Sequence, residues 1–289
     1  ESLKSLNLSL PMGLQIFEGS IEAFVHGLNK HSIKRMVSTR SFDPAGMLLQ
    51  ADLAKVLFES GIALELVGSN YAVTPGTIVK DDGTALKVYT PFYKRWVVHG
   101  WDSPYKLDVE GQSWIAADGF DLPEASGDSP IPIKAGEAFA LRTWRRFKGQ
   151  RLDDYSENRN RTDLSGTSHL SHALAHGEIH PRTLLAELED GEGQEVFRKE
   201  IAWREFYADV LFRNPHTVDE YFEPRFEKLR YADPVADKQL LDAWKQGRTG
   251  YPIVDAAMRQ LSQTGWMHNR SRMIVASFLV KDLHFEWQL

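Results

Sequence analysis

Thr249-Gly250-Tyr251-Pro252-Ile253-Val254-Asp255-Ala256-Ala257-Met258-Arg259-Gln260-Leu261, followed by Thr264-Gly265-Trp266-Met267-His268-Asn269-Arg270-Ser271-Arg272-Met273, decides the fold class of the C-terminal half. The spacing of apolar residues predicts helices over about 251–263 and 267–285. Working back along the chain, the same helical period predicts further helices over about 137–149, 167–176, 180–189, 194–212 and 237–247. There is no internal repeat and no low-complexity tract. Residues 137–289 are therefore expected to form an all-helical domain.

Three stretches of this half carry polar side chains at helical spacing. On the last predicted helix, Asn269, Arg272 and Met273 share one face, and Trp266, Asn269 and Arg270 share an overlapping one. Asn can read a base edge and Arg can hold a phosphate, although Met and Trp also serve as plain core filler. Glu200, Trp203, Arg204 and Tyr207 share a face of the 194–212 helix. That face suits a stacked base with a carboxylate on its N–H edge. It equally suits a Glu–Arg pair beside a core Trp. Gly166-Thr167-Ser168-His169-Leu170-Ser171 opens a helix, as an ordinary hydroxyl cap or as an anion site at the helix start. His268 has no second His or carboxylate at ligand spacing, so no metal site is expected.

The N-terminal part has a different period. Leu14–Phe17, Arg35–Ser38 and Ala63–Val67 read as strands, with helices over Ile21–Leu28 and Ala45–Glu59 between them. This alternation predicts a parallel α/β layer, incomplete at its N-terminus. From Gly68 to about Gly136 the chain is richer in Gly, Pro, Asp and Ser. The expected organisation is thus an α/β domain over 1–75, an inter-domain linker over 76–136 and the helical domain over 137–289.

Composition narrows the classes. Hydrophobic residues make up 42% and charged residues 26%, and no apolar run is long enough to span a bilayer. Cysteine is absent, which excludes disulfides and thiolate metal sites and fits a reducing cytoplasm. The N-terminus lacks an initiator Met and the pattern of a signal peptide. Both ends read as cut. The net charge is −6, yet seven basic residues stand between Arg142 and Arg161, opposed there only by Asp153, Asp154 and Glu157. A basic patch on an acidic protein and a solvated helix face both fit that run. No Walker loop, Gly-x-Ser-x-Gly elbow or Cys nucleophile is present.

Thr249–Leu261 with Thr264–Arg270 resembles the signature of the photolyase/cryptochrome family, closest to its class I cyclobutane pyrimidine dimer photolyases. Glu200–Tyr207 resembles the family's substrate-contact helix, and Gly166–Ser171 its flavin-phosphate loop, in matching order. The resemblance implies an N-terminal antenna domain and a helical domain that holds FAD. It implies that light-excited reduced FAD passes an electron to a flipped-out dimer, the ring splits, and the electron returns. By the same resemblance Tyr155, Thr167, Ser168, His169, Leu170, Ser171, Phe197, Glu200 and Arg272 are expected around FAD. Glu200, Trp203, Asn269 and Met273 are expected at the dimer. Arg159, Trp203, Arg204, Asn269 and Arg270 are expected at DNA. Trp287 matches the middle member of the family's tryptophan chain. An antenna chromophore of folate or deazaflavin type, damaged DNA as partner and a monomeric state are also implied.

Several positions depart from the family pattern. Phe197 stands where some relatives carry Trp, and Tyr231 is the nearest aromatic to the distal tryptophan position. The segment expected after Leu289 holds the family's remaining flavin-facing residues. Asn269 and Met273 resemble the repair class: six-four photolyases carry His at the former position, and plant-type cryptochromes differ at the Met positions.

Overall fold

The computed structural model describes residues 1–105, 113–114, 122 and 134–289. Helix α1 covers Ser2–Ser9 and α2 Ile21–Lys30. Strand β1 (Arg35–Thr39), α3 (Pro44–Glu59) and β2 (Ala63–Val67) form a β-α-β unit. The two strands pair in parallel, from Arg35 opposite Ala63 to Thr39 opposite Val67. Helix α3 starts as its sequence dictates: the Asp43 carboxylate accepts from the Gly46 N–H at 2.8 Å, and Pro44, which lacks an N–H, occupies the first turn. Val25, Leu57 and Ile62 form the core of this layer. Leu14–Phe17 does not form a strand among the described residues: only Ile16 makes a bridge.

Next come α4 (Tyr89–His99), α5 (Glu137–Gln150), α6 (Tyr155–Asn158), α7 (Ser171–Ala175), α8 (Pro181–Ala186) and α9 (Glu192–Arg213). Helices α10 (Lys238–Lys245), α11 (Pro252–Thr264) and α12 (Asn269–Ser277) complete the chain, with a π-helical turn over Phe278–Asp282. The helical domain and the parallel sheet expected from sequence are both present.

The chain divides into two compact units, though not at the boundaries read from composition. The described parts of the first are 1–105, 113–114, 122, 135–156 and 168–215, and those of the second are 134, 157–167 and 216–289. Residues 69–99 fall within the first unit. They carry α4, and Val73, Ile78, Leu86, Phe92 and Trp96 join one core with Trp144, Phe147, Leu184, Phe197 and Ile201. Most of 106–133 lies outside the described residues.

The reason is a set of side chains that take up the backbone groups of residues 69–78. Glu205 of α9 is 2% exposed and accepts from the N–H of Ala72, the N–H of Val73 at 3.0 Å and Trp96 Nε1 at 2.7 Å. Asp209, one turn on, accepts from the Gly76 N–H at 2.7 Å and pairs with Arg213 at 2.8 Å. Arg213 returns a hydrogen bond to the Gly76 carbonyl at 2.7 Å. Arg182 donates to the Ala72 carbonyl through Nε and Nη2 at 3.0 and 2.9 Å. Buried backbone polar groups need partners, and here α8 and α9 supply them. Gly193 sets the other end of α9. A Cβ there would lie 2.5 Å from the Asp153 carbonyl oxygen and against that of Leu152, so only glycine allows this approach.

In the second unit, Val254, Ala257, Met258, Met267, Val275 and Phe278 form the core. Asp255 closes the turn before α11, accepting from the Thr249 N–H and hydroxyl at 2.7 and 2.6 Å and from the Gly250 N–H at 3.0 Å. The Thr249 hydroxyl bond, followed by the two backbone N–H groups, holds its carboxyl below the usual range. Gly265 ends α11 in the left-handed conformation.

The helix expected over 267–285 is shorter than its apolar pattern implies. After Ser277 the chain widens into the π-turn, with the Leu283 N–H on the Phe278 carbonyl at 3.0 Å, and His284 takes φ +57°. This re-aims Phe285 into a small cluster with Leu241 and Leu279, where it is fully buried. The helix expected over 167–176 is likewise cut to α7, because His169 sits at φ +55° and cannot continue a right-handed helix.

Candidate functional site

Helix α9 presents the expected residues of the first unit. Phe197 is 3% exposed and packed among Trp144, Phe147 and Tyr155, with centroids 5.3, 5.4 and 5.6 Å away. Tyr155 is also buried. Both rings are core walls, not open surface. Glu200 and Trp203 lie half-buried one turn apart. Tyr89 covers one face of Trp203, with centroids 3.6 Å apart and planes at 6°. Tyr207 lies near-parallel to Trp203 at 5.6 Å and is exposed. Trp203 is therefore held inside an aromatic stack (Tyr93, Tyr89, Trp203, Tyr207) that ends at solvent.

Arg204, expected at DNA, has partners within the protein. Its Nη1 donates to the Asn70 carbonyl at 2.8 Å and its Nη2 to the Leu174 carbonyl at 3.2 Å. Its guanidinium sits 4.5 Å over the Tyr71 ring. Burial pulls its pKa down, and the geometry makes it a brace for the 69–72 segment.

The Ser168–Ser171 turn also belongs to the first unit. Helix α7 begins at Ser171 with Leu170 as N-cap and no side-chain cap. The Ser168 hydroxyl bonds locally instead, accepting from the Leu170 N–H at 3.4 Å. The hydroxyl-rich turn thus does not serve as the cap of α7. In the second unit, the Thr167 hydroxyl is buried and has no hydrogen-bond partner among the described residues. Gly166 is packed so tightly on Asn158 that a Cβ would fall 2.7 Å from its carbonyl oxygen.

Helix α12 exposes Asn269, Arg272 and Met273 on one face, as their spacing predicts. Arg272 Nε donates to the Met267 carbonyl at 3.2 Å. Arg270 donates to Asn160 Oδ1 at 2.7 Å and to Met273 Sδ at 3.2 Å, which fixes the thioether. Arg159 lies half-buried, and its backbone faces the His268 ring.

His268 caps α12: its Nδ1 accepts from the Arg270 N–H at 3.0 Å, which requires an unprotonated nitrogen. Burial, then the Arg270 charge, lower its pKa, and the Arg159 backbone opposes them. Below its ordinary value of about 6.5 the unfolded chain takes up the proton before the folded one. Stability is therefore full above that value and falls as the pH drops through it. Urea midpoints at pH 7.5 and 5.5 are expected to fall for the parent, and to fall less for His268→Asn, which keeps a capping oxygen without the titration. Equal falls in both would remove His268 as the cause.

At the chain end, Trp287 is 42% exposed and meets the Tyr221 ring edge-on at 6.3 Å. Tyr221 in turn stacks on Tyr231 at 6.1 Å and 14°. Tyr231 OH donates to the Phe226 carbonyl at 3.0 Å and Tyr221 OH to Glu286 at 3.2 Å. Sequence reading paired Trp287 with Tyr231 and missed Tyr221 between them. It missed Tyr89 and Asn160 as well, because each meets its partner more than a hundred positions away.

Residues 197–289 match the family described as the FAD binding domain of DNA photolyase, and residues 1–106 match the one described as DNA photolyase. A deoxyribodipyrimidine photo-lyase of Alkalihalophilus pseudofirmus is 37% identical over 232 residues, covering 76% of this chain and 48% of that protein. One from Vibrio cholerae is 36% identical over 253 residues, covering 81% and 53%. The chain spans about half the length of these curated relatives. Among solved structures, a class III photolyase from Agrobacterium tumefaciens aligns at TM-score 0.82 and 31% identity, over 99% of this chain and 63% of that one. A Synechocystis cryptochrome aligns at TM-score 0.85, and its 23% identity speaks for the fold alone. Two family descriptions, several named relatives and a shared fold agree with the motifs on α9, α11 and α12: the chain belongs to the DNA photolyase and cryptochrome family.

Proposed function

We propose that the chain carries the flavin- and lesion-contacting residues of a light-driven enzyme that splits cyclobutane pyrimidine dimers in DNA. One observation carries the flavin part: a buried Thr167 hydroxyl without a partner among the described residues, next in sequence to a turn whose hydroxyl residues leave the start of α7 uncapped. A phosphate group is the partner such donors suit. FAD, when bound and reduced, supplies an electron on absorbing light. The protein's part is to hold and orient. On the first unit, the Ser171 hydroxyl and the backbone N–H groups of 168–171 suit phosphate; on the second, the Thr167 hydroxyl does. Tyr155 and Phe197 offer apolar wall on the first unit, and Arg272 offers a cation on the second.

On the first unit, the Glu200 carboxylate accepts from the N–H edge of a pyrimidine, and Trp203, locked by Tyr89, offers a pre-oriented aromatic edge. On the second, the Asn269 amide pairs with a base edge and Met273, held by Arg270, packs on the saturated ring. Arg159 and Arg270 serve phosphates. Bringing a damaged base out of the duplex costs a few kcal/mol, least where stacking is already poor. Trp287, Tyr221 and Tyr231 form a contact series along which an electron can travel. A second chromophore of folate or deazaflavin type belongs to the same reading. A light receptor without repair is the rival, and Asn269 with Met273 favours repair.

Titration with FAD tests the first step. Flavin absorbance is expected to co-elute with the protein in gel filtration, and Thr167→Val is expected to reduce the retained fraction. Flavin that elutes free from the unaltered protein would contradict the reading.

A further inference from the structure

We propose that the outward stripe of α5 is a docking surface for the phosphate backbone of duplex DNA, made of residues other than the lesion contacts above. The choice of DNA over other polyanions rests on that function. Helix α5 buries Ala140, Thr143, Trp144 and Phe147. At 3.6 residues per turn, Ala138, Arg142, Arg145, Arg146 and Gly149 fall together on the opposite side, and all five are exposed.

Two acidic side chains near α5 bond to its other edge, and a third, Glu137, lies exposed in its first turn. Glu187 accepts from Trp144 Nε1 at 2.9 Å, and Glu189 pairs with Lys148 at 3.4 Å. Arg142, Arg145 and Arg146 have no ion-pair partner among the described residues; Arg142 only leans on the Phe139 ring at 5.9 Å. Three like charges within one turn repel, in a chain whose net charge is −6. A polyanion removes that repulsion, and the guanidinium fork matches phosphate oxygens.

Gly149, the next-to-last residue of α5, adds a steric point. Here a Cβ would meet nothing within 4 Å, and the backbone needs no positive φ. With Ala138, Gly149 keeps both ends of the stripe low, so that a strand can lie against the three arginines.

The test is the salt dependence of binding to an undamaged duplex, which needs neither lesion nor flavin. Arg142→Gln, Arg145→Gln and Arg146→Gln are combined in one variant. All three side chains are exposed, so circular dichroism and Tm are expected to match the parent. Each lost phosphate contact lowers the log–log salt slope by about 0.9. The variant is expected to bind about tenfold or more weakly at roughly 50 mM salt, with a slope shallower by about two to three. An unchanged slope and affinity would overturn the proposal, and would be the result if the stripe serves an acidic protein instead. A shallower slope with no preference for dimer-containing DNA would leave this surface standing and remove the repair reading. A parent that binds no DNA at all would end both.

Discussion

Replacing Glu205 by alanine is expected to cost about 3 kcal/mol or more of stability, at about 1 kcal/mol or more for each orphaned donor. The carboxylate serves three donors at once: the N–H groups of Ala72 and Val73 and the indole of Trp96. All three are buried and lie more than a hundred positions away in sequence. None of them can accept, so both carboxylate oxygens must. Burial pushes the Glu205 carboxyl upward and the three donors pull against it. Alanine leaves the donors without acceptors and opens a cavity beside Trp96, which is fully buried. Glutamine restores one acceptor but sets an NH2 group against a donor, so it should recover only part of the loss. Urea unfolding measures both. A Glu205→Ala protein within about 0.5 kcal/mol of the parent, the usual range for surface changes, would show that the 69–78 segment does not depend on this carboxylate.

Replacing Glu200 by alanine is expected to cut dimer repair per absorbed photon by about tenfold, the effect of roughly 1.4 kcal/mol on a reacting-state interaction. FAD binding and stability are expected to change little, because Glu200 is half-buried on the outer part of α9 and belongs to no core cluster. Trp203 keeps its place through Tyr89 whichever residue stands at 200. Repair yield with chemically reduced flavin, measured beside the visible spectrum, separates the two effects. Unchanged yield would take Glu200 out of the chemistry. Lost flavin would reassign it to the cofactor pocket.

Much of the fold is legible because its period is local. The β-α-β unit follows from alternating short apolar runs, and α5, α9 and α11 follow from helical spacing. Polar chemistry hid the rest. The stretch from Gly68 to about Gly136 reads as a connection because it is richer in Gly, Pro, Asp and Ser, while the backbone partners of 69–78 stand on α8 and α9. The π-turn at 278–282 lies within an unbroken apolar pattern, and only the burial of Phe285 explains it. Of the site residues, Asn269, Arg272 and Met273 appear on one exposed face as their spacing implies. The intramolecular partners of Arg204 are not legible, because the carbonyls of Asn70 and Leu174 that hold its fork are distant in sequence.

Light-dependent repair tests the central claim most directly. The protein, loaded with FAD and chemically reduced, is mixed with a thymine-dimer oligonucleotide and illuminated. The dimer is expected to disappear in the light and persist in the dark. Equal dimer content in light and dark, with flavin bound and DNA engaged, would contradict the account and place the chain on the light-receptor side of its family.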